Sequence, residues 1–324
     1  MQEMMLARAK ALLQSGDVQR VLGWQTGEFV YDVTPAAFET AEELDAKFVY
    51  NDFCGSNLSK YLVKESRKEG RVLVFLKPCD TYSFNQLIKE HRIVRENIYV
   101  IGVPCAGKTD GETLKALGLK GILGVKDAGD SFTVETLYGE KTVSKQEALP
   151  ERCRSCKSHK HMVYDELLGE EGEVLDSHRF DMVEKIESMS ADERFAFWQG
   201  ELSRCIRCNA CRNVCPACTC EKCVFDNEHS GIAQKAAADS FEESMFHIIR
   251  AFHVAGRCTD CGECSRVCPQ NIPLHLLNRK FIKDINTFYG AYQAGEDTES
   301  RAPLTNYTKG DVEPSIVYHK GGEK

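Results

Sequence analysis

The run Cys205-Ile-Arg-Cys208-Asn-Ala-Cys211-Arg-Asn-Val-Cys215-Pro216 has the spacing C-x2-C-x2-C-x3-C-P. The same spacing returns at Cys258-Thr-Asp-Cys261-Gly-Glu-Cys264-Ser-Arg-Val-Cys268-Pro269. Thiolates so spaced hold 4Fe–4S cubanes, the first three of a run on one cluster and the fourth on its neighbour. The expected sets are therefore Cys205, Cys208, Cys211 with Cys268, and Cys258, Cys261, Cys264 with Cys215. A chain built this way must fold its two runs against each other, and its chemistry is electron transfer.

Sixteen cysteines in 324 residues are too many for ordinary usage. Disulfides would need an oxidising compartment. The N-terminus, Met1 to Arg8, has neither the apolar core nor the cleavage site of a secretory signal. No stretch reaches the roughly 18 apolar residues of a membrane span. The expectation is a cytoplasmic protein whose thiols bind metal. With 49 acidic against 41 basic residues, the net charge of −8 argues against nucleic acid as a partner.

The first half alternates strands and helices. An amphipathic helix over 3–14 stops at Gly16, and Ser56-Asn57 cap another that closes at Gly70. Val72–Leu76 and Ile98–Val103 are short apolar runs suited to buried parallel strands. Asp80 is positioned to cap a helix reaching His91, and Thr109-x-x-Glu112 has the form of a capping box. Residues 132–143 suggest a hairpin. The predicted fold is an α/β N-terminal domain with a parallel sheet over 1–165, then an acidic connector over 166–193. A mainly α-helical dicluster ferredoxin domain over 194–289 and an extended tail over 290–324 complete it.

Cys79 follows the first strand and Cys105 the second, both at the carboxyl edge where open α/β sheets place ligands. With Cys153 and Cys156, a C-x2-C pair, they make four thiols. Spacing alone leaves three readings open: a third 4Fe–4S cluster, a structural zinc, or unrelated buried cysteines. Phe48–Cys156, with Lys77-Pro-Cys79, Pro104-Cys105, Cys153-x2-Cys156 and the following Tyr164–Gly169, resembles the beta-subunit family of deazaflavin-reducing hydrogenases and formate dehydrogenases. That resemblance implies an iron–sulfur site held by Cys79, Cys105, Cys153 and Cys156 beside FAD. This chain departs from the family after Cys156, where the acidic connector replaces a long segment that helps form the flavin pocket. Relay through a cluster survives the departure, whereas FAD becomes an alternative.

Gly102-Val-Pro-Cys-Ala-Gly107-Lys108-Thr109 also fits the P-loop pattern G-x4-G-K-[ST]. Pro104 removes one backbone N–H from the phosphate cradle, and Cys105 is better used as a thiolate. The P-loop ATPase is accordingly a distant alternative.

Between Cys215 and Cys258 the chain carries a long insert with a helical pattern over 241–253, apolar at 241, 245, 248, 249 and 252. The module resembles the helical dicluster ferredoxins of fumarate reductase and heterodisulfide reductase subunits. Pro216, Pro269 and Pro273 suit helix starts. His247 and His253 read as helix surface or packing residues. Cys54 reads as structural, and Cys218, Cys220 and Cys223 as spare thiols beside the first run. Arg204, Arg207 and Arg212 flank the first run, while Asp260 and Glu263 lie in the second, so the first cluster is expected to be the easier to reduce. The polar tail suggests a partner surface.

The expected function is an iron–sulfur subunit of a multi-subunit oxidoreductase, relaying electrons through about three clusters. Its partners would be hydrogenase, formate dehydrogenase or heterodisulfide-reductase-like components, and ferredoxin. A flavin-dependent enzyme acting directly on a deazaflavin or ferredoxin is the alternative.

Overall fold

The computed structural model describes residues 1–175, 178–227 and 240–305. Residues 228–239 of the predicted insert and the tail beyond 305 lie outside the described residues. A helix over Gln2–Ser15 opens the chain and ends at Gly16, whose φ of 79° lets its N–H turn back to Leu13 O. Strands β1 (Arg20–Thr26), β2 (Val33–Phe38), β3 (Val72–Leu76), β4 (Ile98–Gly102) and a two-residue β8 (Glu166–Leu167) form one sheet, ordered β2-β1-β3-β4-β8. β1, β3, β4 and β8 run parallel, and β2 pairs antiparallel at the edge. The sheet is thus mixed rather than purely parallel, because β1 and β2 form a hairpin that the sequence reading did not identify. β3 is buried at every position, as a strand covered on both faces must be.

The helix Pro78–Lys89 follows β3 with proline in its first turn, where the missing N–H costs nothing. Its cap is Lys77 rather than Asp80. Asp80 sits three residues inside and accepts from both Lys77 N and Lys77 Nζ, the latter at 2.7 Å. Thr109 is likewise not a cap: Asp110 accepts from Thr113 N at 2.7 Å and the helix is Gly111–Ala116. The predicted hairpin is the last two strands of a small antiparallel sheet, β5 (Ile122–Asp127), β6 (Ser131–Thr136) and β7 (Gly139–Ser144). It encloses its own core of Leu114, Phe132, Val134 and Leu149.

Residues 166–193 contribute more than a link, since β8 joins the main sheet there and a helix forms over Asp181–Glu187. The C-terminal part is helical: Ala191–Leu202, Ala210–Val214, Ser240–His253, Glu263–Arg266 and Leu274–Tyr289. Of the three prolines expected at helix starts, only Pro273 stands at one, as the N-cap of Leu274–Tyr289; Pro216 and Pro269 lie in turns. The Ser240–His253 helix does not bury the stripe its apolar pattern suggests. Phe241, Ile248 and Phe252 are exposed, whereas Glu243, Phe246, His247 and Arg250 face inward. No helix among the described residues is long and apolar enough to cross a membrane.

Candidate metal centres

Parallel pairing of β3 with β4 sets Leu76 beside Gly102, which brings the loops carrying Cys79 and Cys105 to one sheet edge. The short helix Glu151–Arg154 supplies Cys153, and Cys156 follows two residues past its end. All four thiols line a single cavity with Arg152, Lys157, His159, Asp260 and Cys261. Around it stand three cations. Lys77 is buried and held by Asp80 and Ser56 O at 2.8 Å. Arg152 and Lys157 come from the C-x2-C segment itself. Burial pushes the Cys79 thiol well above its ordinary range, and Cys156 up to about 11. Loading a metal here must therefore displace protons, a cost that thiolate–metal bonding and the neighbouring cations offset.

In the ferredoxin part, Cys205, Cys208, Cys211 and Cys268 line one cavity together with Phe246 and His247. Cys215 lies close enough to Cys258, Cys261 and Cys264 for its charge to raise all three thiols. These are the neighbours on which the crossed pairing expected from spacing would draw. The two loops also share a backbone conformation. Arg207 and Asp260 have φ of 54° and 61°, and Asn209 and Gly262 have 62° and 69°. A side chain at Gly262 would meet Arg152 at 2.6 Å, so this loop needs glycine where the first accepts asparagine. Arg207 N points at Cys205 Sγ over 3.4 Å, a contact that favours a charged sulfur.

Among the described residues no three His, Cys, Asp or Glu stand close enough to share one metal ion. Tetrahedral zinc, with Zn–S near 2.3 Å, would hold its sulfurs only about 3.8 Å apart. Four thiols lining one cavity, as in the N-terminal and first ferredoxin groups, are the donor set that a cubane takes.

The four-thiol groups are adjacent. Cys261, from the second ferredoxin loop, also lines the N-terminal cavity. Cys211 and Cys264, one from each ferredoxin group, are near enough for the charge of each to bear on Arg250 and for Cys264 to raise Cys211. The α/β domain is fastened onto this row. Arg152 Nη1 donates to Cys261 O at 3.3 Å, and Ser83 Oγ meets Thr259 Oγ1 at 2.8 Å. Arg279, buried, donates to Asp260 at 2.9 Å, to Glu151 at 2.7 Å and to Ser155 at 2.9 Å. Lys157 donates to Thr259 O.

The charge contrast between the two runs is largely cancelled by ion pairs. Glu263 is held by Arg266 at 2.7 Å and Asp260 by Arg279, while Arg212 pairs with Asp226 at 2.8 Å and Arg204 with Glu201. The cation that matters is Arg250, on the insert helix. It bears on Cys211, Cys215 and Cys264, and among the described residues its Nε and Nη1 have no hydrogen-bond partner. His247 beside it is kept neutral by burial and by Arg250, which pull its pKa down to about 3. Sequence reading missed Arg250 and put His247 on the surface or in packing. A signal was present: Glu243, Phe246, His247 and Arg250 fall on one helical face, and polar residues on a buried face call for a polar partner. Arg250→Met is expected to lower the midpoint potentials of both ferredoxin clusters by on the order of tens of millivolts, because a cation favours the more anionic reduced form. An EPR-monitored redox titration checks this, with the N-terminal signal as internal reference.

The P-loop pattern does not make a phosphate cradle. Lys108 is buried, donates to Asn51 O at 2.9 Å and lies over Tyr50, and Thr109 Oγ1 donates to Ala148 O at 2.6 Å. No helix starts at Thr109 to complete the site. Cys54 is fully buried with Asn51 N at 3.3 Å from its sulfur, and burial raises its thiol to about 11. Cys218, Cys220 and Cys223 line a separate cavity.

Known proteins are similar to this chain in one module and along most of its length. The 4Fe-4S dicluster domain model matches residues 201–272. The F420-dependent formate dehydrogenase subunit beta of Methanocaldococcus jannaschii is 26% identical over 356 aligned positions, covering 92% of each chain. The F420-dependent formate dehydrogenase 1 subunit beta of Methanococcus maripaludis is 24% identical, covering 91% of each. Among solved structures, a chain of the F420-reducing [NiFe] hydrogenase complex from Methanosarcina barkeri is similar, with TM-score 0.40 and 11% identity. That match covers 62% of this chain and 85% of the other. The chain is thus a homologue of the F420-dependent formate dehydrogenase beta subunits and carries a 4Fe-4S dicluster domain.

Proposed function

We propose that this chain is the iron–sulfur electron-transfer subunit of a multi-subunit oxidoreductase, with three 4Fe–4S clusters in a row. The observation that carries the reading is Cys261, which belongs with Cys258, Cys264 and Cys215 and also borders the cavity of Cys79, Cys105, Cys153 and Cys156. Each cluster, when bound, supplies a one-electron carrier. The protein's own residues do the rest. Lys77, Arg152, Lys157 and Arg250 offset anionic charge, and buried backbone N–H groups hold sulfur in its charged form. Apolar walls at Phe246, Ile272 and Leu274 keep water from the outer cluster.

The formate dehydrogenase beta relatives point to a formate-oxidising partner subunit as the donor, with a deazaflavin or another redox carrier at the far end. Metal analysis of the anaerobically purified chain tests the core of the reading. About twelve iron and matching sulfide should be bound by the three assigned sets, and Cys79→Ala should remove about four. Iron unchanged by Cys79→Ala would dismiss the N-terminal cluster.

One observation favours a second reading, a flavin in the α/β domain. A cavity of about 460 Å³ borders Cys105 and is lined by Tyr50, Asp52, Lys108, Asp127 and His159. That is within the range of cofactor pockets. Flavin released on acid denaturation would support it, and a colourless supernatant would remove it.

A further inference from the structure

Beyond the twelve thiols assigned above, Cys218, Cys220 and Cys223 come from one six-residue turn, Cys218-Thr-Cys-Glu-Lys-Cys223. All three line a cavity of about 400 Å³, and Cys215 does not. None of Cys258, Cys261 and Cys264 lines it either. Its walls carry more positive than negative charge: Lys60, Arg212, Arg250 and Arg257 stand against Glu221 and Asp226, with Arg212 paired to Asp226 and Arg257 to Glu90. A cationic wall around three thiols is what an anionic metal–sulfur group requires and what neutral, spare thiols do not.

The turn is also held from outside. Lys60 donates to Cys218 O and Arg92 to Thr219 O, so two residues of the α/β domain fix the backbone between the first two cysteines. Arg257, in turn, is held by Glu90 of the same domain at 2.7 Å. Arg212, on the helix that follows Cys208, reaches both Cys223 and Asp226. A loop of free thiols with no task would need none of these cross-domain anchors.

We propose that Cys218, Cys220 and Cys223 hold a fourth metal centre, an iron–sulfur cluster with three protein thiolates and one iron left to a non-thiolate ligand. The inference deepens the relay reading above and rests on it. Iron–sulfur is favoured over zinc because the thiols line a cavity of about 400 Å³, room for a multi-atom core and far more than a single ion fills. Asp226 and His253 also line the cavity and are the protein groups available to the open iron. Cys218 lies within hydrogen-bonding reach of Cys215, so the centre branches from the middle of the row rather than extending its end. Cys220 is exposed, which places the branch at the surface, where a small acceptor or partner carrier can reach it.

The test is the iron and acid-labile sulfide content of the whole chain, purified anaerobically, compared with Cys220→Ser and Cys223→Ser. The difference between wild type and variant reads the fourth centre, while the wild-type total reads the three-cluster relay. Loss of about four iron in each variant, from a wild type near sixteen, is the expected result. EPR signals of the remaining clusters should persist. Iron unchanged in both variants overturns the fourth centre, and a wild type near twelve then leaves the relay standing. Loss of zinc with iron unchanged also overturns it. So does loss of iron on Cys218→Ser alone, which would assign that thiol to the neighbouring cluster. Should Cys223→Ser disturb the turn, Cys220→Ser decides the matter, because that side chain is exposed and packs against little.

Discussion

Replacing Cys261 by alanine is expected to remove about four iron and to break the row in its middle. Cys261 is shared in position though not in ligation. Its sulfur belongs with Cys258, Cys264 and Cys215, its residue lines the N-terminal cavity, and its carbonyl accepts from Arg152 at 3.3 Å. No other ferredoxin-loop cysteine lines that cavity. The variant should keep the EPR signals of the outer clusters. Electrons delivered at one end should then fail to reach the other on the timescale of the wild type, as read by rapid-freeze EPR. Cys54→Ala serves as the comparison: that thiol is buried away from the assigned groups and should cost stability but no iron. If Cys261→Ala retained full iron and an unbroken relay, the assignment of the middle cluster would be wrong.

The second large effect belongs to Arg279. Its side chain is 1% exposed and ties Asp260, in the second ferredoxin loop, to Glu151 and Ser155, which flank Cys153 and Cys156. It also donates to Arg179 O at 3.0 Å. Removing one partner of a buried ionic network strands the others, at a cost of about 3–5 kcal/mol. Arg279→Ala should lower the chemical-denaturation midpoint by an amount of that size and loosen the N-terminal cluster first. Glu151 also pairs with His275, so Glu151→Gln should do part of the same damage. A midpoint unchanged by Arg279→Ala would mean that the two iron–sulfur loops are joined by packing rather than by this staple.

These expectations differ in how far the sequence could have supplied them. The eight ferredoxin thiols stood out because inorganic clusters call for short, local spacings, and spacing is visible in a linear chain, whereas Cys79, Cys105 and the pair Cys153 and Cys156 are far apart and were joined into one set only through a family resemblance. The strands Val72–Leu76 and Ile98–Gly102 were legible as apolar runs, and their ends placed Cys79 and Cys105 together. The hairpin of Arg20–Thr26 and Val33–Phe38 was not, because Gly23, Gln25 and Pro35 interrupt its apolar pattern. The Ser240–His253 helix was found but turned the wrong way. Its apolar count favoured the face with Phe241, Ile248 and Phe252, whereas the site draws in Glu243, His247 and Arg250. Hydrophobic periodicity ranks faces by transfer to an apolar core, and it misjudges a face that meets thiolates and their cations. The same limitation explains why the charges in the two loops misled: formal charge is read from sequence, but pairing with Arg266, Arg279 and Asp226 is not.

The paired C-x2-C-x2-C-x3-C-P runs by themselves pointed to a two-cluster iron–sulfur module, with crossed ligand sets as the expectation. Within each run the thiols repeat at a short fixed spacing, so that information is local. Tertiary structure alone set Cys261 beside the N-terminal thiols and Arg250 near Cys211, Cys215 and Cys264. It also decided that Cys218, Cys220 and Cys223 face a cationic cavity of their own. Those are contacts between segments tens to hundreds of residues apart, set by how the α/β domain packs on the helical module, and no local spacing encodes them.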